Sequence, residues 1–120
     1  MSLFSERIRP AVTVELDAAR RAESLGSLRD SFSHLERAHV LGQQSTIQHV
    51  RAHAQMLAWA LRQRAWSEAL GQVIRLVGAA TKTPLGFIPS GNTGGADVSP
   101  FKRMPIPEDL AQMIRRAQSG

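Results

Sequence analysis

Glu36 and His39 are three residues apart, and His49 and His53 are four apart. On a helix either spacing brings two side chains onto one face about a turn apart. If Gln43 to Ser45 is the turn of a hairpin, residues equidistant from it lie level: Glu36 with His53, and His39 with His49. Four donors then converge from two helices, in layers roughly 4.5 to 6 Å apart. The chain has no cysteine, so a metal here must be held by nitrogen and oxygen. Imidazole and carboxylate suit zinc or another divalent transition metal, with bonds of ~2.0 to 2.2 Å. The donor set Glu36, His39, His49 and His53 therefore predicts a mononuclear centre, with Gln43, Gln72 or a carbonyl from the C-terminal segment holding the ligands in place. Glu36 is open to two roles. As a fourth ligand it closes the site for structure or sensing; as a general base beside an open position it makes a small metal-dependent hydrolase. The Glu-x-x-His spacing is also that of di-iron bundles, but Glu68 is the one further carboxylate within plausible reach. The competing reading is a buried network in which histidines and Glu36 satisfy one another. His34, level with Ala54 or Gln55, is expected to point elsewhere. An ion on imidazoles of ordinary basicity would be lost below about pH 6.

These residues need helices to position them, and the apolar periodicity supplies them. Val12, Leu16, Ala19 and Ala22 mark a first helix from Pro10 to Ser24, ended by Gly26; Leu28, Phe32, Leu35 and Ala38 mark a second from Ser27 to Leu41, stopped at Gly42. Val50, Ala54, Leu57 and Leu61 give a third from Thr46 to Arg62, and Leu70, Val73, Ile74 and Val77 a fourth from Ser67 to Ala80. Both stripes are expected to face inward. Short turns make sequential helices antiparallel. Residues 81–106 are then rich in Gly, Pro and Ser but carry Leu85, Phe87, Ile88, Val98, Phe101, Met104 and Ile106. That pattern predicts an irregular strap anchored across the helices, followed by a short final helix over 107–118. Gly91, Gly94 and Gly95 read as turn residues, since no Gly-Lys-Ser/Thr follows them. The fold expected is all-α: one domain over 1–120, made of two helical hairpins (10–80), a strap and a final helix.

The net charge of +5 raises nucleic acid as a partner. The cations are mostly arginines spread along every helix among Glu15, Asp17, Glu23, Asp30, Glu36 and Glu68, and there is no tyrosine for stacking. That argues for a solvated surface over a phosphate track. No stretch is apolar enough to span a membrane and the first ten residues lack an apolar signal core, so a cytoplasmic protein is expected.

The hairpins resemble tetratricopeptide repeats, with Ser31 and Ala69 at the small position of the second helix and Ala38 at a later one. The string HLERAHVLGQ (His34 to Gln43), followed by His49, His53 and the tail IPSGNTGGADVSPFKRMPIPEDL, resembles a small bacterial family known as domain of unknown function 3703. The resemblance implies that Glu36, Arg37, His39, Gln43, His49, His53 and Gly91 to Gly94 belong to a family pattern, and it implies no activity. Three functions follow as expectations: a metal-binding helical domain serving as buffer, sensor or accessory, a module that docks a protein partner, and a metal-dependent hydrolase.

Overall fold

The computed structural model describes residues 3–82, 91–96 and 103–120. These form five helices: α1 (Leu3–Ser24), α2 (Leu28–Gly42), α3 (Thr46–Arg62), α4 (Trp66–Lys82) and α5 (Glu108–Ser119). Residues 91–96 and 103–107 are irregular. Of the expected strap anchors, Leu85, Phe87, Ile88, Val98 and Phe101 lie outside the described residues, while Ile106 packs against the core.

The first helix is longer than its apolar pattern suggests, and Pro10 sits inside it. Ser5 and Ile8 are buried on the preceding turns while Pro10 faces solvent, so packing holds the helix through a residue that would otherwise start one. Gly26, at φ 79°, ends α1, with the Ser27 amide donating back to the Ala22 carbonyl at 2.9 Å. Gly42 ends α2, as expected, and has a second job. It closes α2 in ordinary right-handed geometry, and a Cβ there would lie 2.8 Å from that of Gln48. Only glycine lets α2 and α3 approach so closely at their turn. Ser45 caps α3 by accepting from the Gln48 amide at 3.2 Å, and itself accepts from Ser5 Oγ at 2.5 Å.

Ile8, Val12, Leu16 and Ala19 of α1, Leu35, Ala38 and Leu41 of α2, Met56 of α3 and Leu110, Ile114 and Ala117 of α5 form the core. The final helix seats on α1 and α2. Ser31 and Ala69, the small positions of the hairpins, are both buried. Ser31 Oγ donates to the Ala19 carbonyl and accepts from Trp59 Nε1, joining α1, α2 and α3.

Two expectations about facing are corrected. Leu70, Val73, Ile74 and Val77 are about half to two-thirds exposed, as is Leu61. Val50 and Leu57 are half-buried and Ala54 is exposed. The inward side of α3 instead carries Gln48, His49, Ala52, His53, Met56 and Ala60. A periodic stripe shows that a face is built to leave water, but the side facing the core is set by small residues and polar groups that the apolar count ignores. Among the described residues, α4 packs against α3 alone of the helices.

Candidate metal centre

The close α2–α3 turn sets the register of the histidines. His39, near the end of α2, and His49 and His53, one turn apart on α3, are 2–8% exposed. His39 Nε2 lies 3.0 Å from His49 Nε2, the level pair expected from equidistance. The centroid of the His53 ring is 4.6 Å from that of His39 and 4.9 Å from that of His49. One ligand atom from each of the three lies within 4.8 Å of the others. Glu36 is not part of this convergence. It is half-buried and lines an open cavity of about 670 Å³ together with Phe32, Trp59 and Glu68. The position beside His53 is taken from the other direction, by Gln72 of α4.

The surrounding hydrogen bonds fix the imidazole protons. A carbonyl only accepts, so the 2.7 Å contact between His39 Nδ1 and the Asn92 carbonyl places a proton on Nδ1 and a lone pair on Nε2, which accepts from His49 Nε2–H at 3.0 Å. Gln72 Nε2 donates to the Glu68 carboxylate at 2.6 Å and to the Gly94 carbonyl at 2.8 Å. Its Oε1 therefore faces His53 and accepts from Nδ1–H at 2.6 Å, which again leaves Nε2 as the lone-pair donor. This is how proteins orient metal-binding imidazoles: the far nitrogen is tied to an oxygen and the near one is left basic.

The 91–96 segment completes this support. Gly94 adopts φ 83°, and a Cβ there would come within 2.7 Å of the His39 ring, so its glycine is needed both for conformation and for contact. The Gly94 amide donates to Asn92 Oδ1 at 2.9 Å, and the Ala96 amide donates to Glu68 at 2.9 Å. Gln72 and the Asn92 carbonyl thus hold His53 and His39 by hydrogen bonds. The Glu68–Gln72–His53 relay was not anticipated, and Asn92 was signalled only through its place in the Gly91 to Gly94 segment of the family pattern.

Burial pushes His49 down to about 3, aided by the nearby His53, and pushes His53 down to about 4 against the opposing effect of the hydrogen bond it donates to Gln72. His39 is held well below 6.5, by burial first and then by His53 and His49. All three are neutral at pH 7, the form that binds metals. A tetrahedral or trigonal ion with 2.0 to 2.1 Å bonds needs its nitrogens about 3.3 to 3.6 Å apart, so rings already within 4.8 Å need move little. The donor chemistry and the spacing fit an ion.

His34 lies outside this group, its Nδ1 2.7 Å from Glu15 Oε1. Buried Glu15 also accepts from Arg37, which reaches on to Asp109 of α5. This α1–α2–α5 tie was not legible in the spacing of the residues. No helix among the described residues is long and apolar enough to cross a membrane.

Comparison with curated proteins and with solved structures finds no match for the chain. A family model described as "Protein of unknown function (DUF3703)" matches residues 6–114, the span that holds the histidines, their supports and most of the core, and the chain belongs to that family.

Proposed function

We propose that this protein is a metal-binding helical domain in which His39, His49 and His53 hold one transition-metal ion, zinc being the natural first choice. The observation that carries the reading is the protonation pattern: His39 and His53 each spend Nδ1–H on a fixed oxygen and turn a lone-pair Nε2 to the cluster. In the metal-free chain His49 Nε2–H donates to His39 Nε2 at 3.0 Å, and an ion entering the cluster would replace that proton. The three imidazoles suit zinc, copper, nickel, cobalt or iron, and the fourth position falls to water or an anion from solution. Rings this deeply buried, with the neighbouring cavity lined by none of them, favour holding or sensing an ion over turning over a substrate, so the hydrolase reading ranks below. In this role Glu36 acts on the cavity side and not as a ligand. Tetratricopeptide-like packing of the two hairpins and a cytoplasmic location are compatible with this function and are not required by it.

The test is stability against metal, on protein purified without a histidine tag. An ion that binds only the folded state adds RT ln(1 + [L]/Kd), about 2.7 kcal/mol at a hundredfold excess over Kd. His39→Ala and His53→Ala should abolish that increment, chelator should reverse it, and His34→Ala should leave it whole. If zinc, nickel, cobalt and copper all leave the thermal midpoint unchanged, the cluster is a hydrogen-bonded core and the proposal fails.

A further inference from the structure

The α3–α4 hairpin turns one side to the histidines and leaves the other without a partner among the described residues. On that outer side α3 carries Ile47, Val50, Ala54, Leu57 and Leu61, and α4 carries Trp66, Leu70, Val73, Val77 and Ala80, with Ile74 beside them. Both sets step by three and four in alternation, the repeat of a coiled-coil seam. Ile47, Leu61, Trp66, Leu70, Val73, Ile74 and Val77 are each 48–66% exposed.

Geometry puts the two stripes on one face. His53 and Gln72, which touch, mark the inward sides of their helices. At about 100° per residue, each stripe is reached from its inward residue by rotation in the same sense along its own chain direction. In an antiparallel pair, equal senses carry both stripes to the same side of the hairpin. The result is a two-helix apolar surface about 25 Å long, well beyond the isolated apolar residues a monomer shows.

The charge pattern selects the occupant. Every exposed residue of α4 from Trp66 to Thr81 is uncharged, and its Glu68 and Arg75 are turned to the Ala96 amide and the Gly71 carbonyl. A chain of net charge +5 that was to meet an acidic partner would place arginines along this face. A second identical chain instead requires a face free of charge, because like charges would meet across the dyad. Seven large side chains per copy, each hiding its exposed half, remove on the order of 1,000 Å² in total, the size at which a specific interface begins.

We propose that two copies pair through their α3–α4 hairpins, outer face to outer face, as an antiparallel four-helix bundle with a two-fold axis near the middle of α4. The pairing is independent of the ion, which sits on the opposite side of the same hairpin. The full chain, in chelator, should sediment with about twice its 13.1 kDa mass at micromolar concentration. Leu70→Lys with Ile74→Glu should weaken the dimer at least a hundredfold with helical circular dichroism unchanged, since both side chains already meet solvent. Leu25→Lys, at an apolar residue 82% exposed elsewhere, should change nothing. Because the chain lacks cysteine, Ile74→Cys supplies a single thiol near the axis, and it should form an intermolecular disulfide under mild oxidation where Arg116→Cys does not. A native chain that stays monomeric at 100 µM overturns the proposal. So does a double variant that loses its helicity, which would mean that the chain itself covers the stripe, or an equal loss of dimer with Leu25→Lys.

Discussion

Lowering the pH from 7.5 to 5 is expected to destabilise the metal-free protein steeply while leaving its affinity for metal almost unchanged. The sign follows from burial. His49 titrates near 3 and His53 near 4 in the folded chain, with His39 also held well below 6.5, whereas all three return to about 6.5 on unfolding. Below pH 6.5 the unfolded chain therefore binds more protons, so the stability is fully present above that pH and is lost as it falls toward the folded values. At pH 5 each imidazole that stays neutral in the folded state costs about 2 kcal/mol, so His49 and His53 together cost about 4 kcal/mol, a large part of the stability of a small domain, and the lowered His39 adds a loss of the same sign. Urea unfolding followed by the fluorescence of Trp59 and Trp66 at pH 7.5, 6 and 5, with chelator, measures the loss. His49→Gln should visibly reduce the pH slope. Because the folded site is already deprotonated down to about pH 4, the increment from excess zinc should persist at pH 5, in contrast to the loss below pH 6 expected for imidazoles of ordinary basicity. A flat metal-free profile between pH 7 and 5, or a zinc increment that disappears at pH 6, would show that the histidines titrate freely in the folded chain and would refute the reasoning.

Further outcomes follow from single contacts. Gly94→Ala should lower metal affinity by ten- to a hundredfold in a zinc competition assay, because the methyl group must displace the His39 ring. Arg64, held at φ 55°, should accept Arg64→Gly with no loss or a gain of up to about 1 kcal/mol in urea unfolding. Met56→Ala, at a fully buried core position, should cost about 2 to 5 kcal/mol in the same measurement. Duplex DNA should bind weakly and release at physiological salt in fluorescence anisotropy, since Arg37, Arg62 and Arg115 are engaged with Glu15, Glu23 and Glu108.

Helix type and the approximate bounds of α2, α3 and α5 were legible because three- and four-residue apolar spacing survives in each. The His39–His49 pair was legible too, since equidistance from a tight turn is a property of the chain alone. The place of Glu36 apart from the three histidines was not: Gln72 of α4 stands beside His53 instead, a contact between residues 19 apart that no local spacing encodes. The facing of α3 failed for a related reason. Its strongest stripe, Val50 to Leu61, looks inward by composition, yet the core takes the side where Ala52, Met56 and Ala60 let helices approach, and the histidines follow that side. Pro10 was misleading because its propensity is local, while the burial of Ser5 and Ile8 that overrides it is tertiary.

The bond from His39 to the Asn92 carbonyl spans 53 residues, and Gln72 is steadied by Gly94. The donor face is thus finished only by chain that is made after all four long helices. Closing a loop of that length costs about 3.5 kcal/mol in chain entropy, which the packed helices must already be able to support. A chain still emerging from the ribosome, with α3 complete but residue 92 unmade, carries the three imidazoles without their orienting oxygens. On the metal-binding proposal, ion capture is accordingly among the last events of folding, because a chain that ends before Gly91 lacks the Asn92 and Gly94 carbonyls as well as α5, whose Leu110, Ile114 and Ala117 belong to the core.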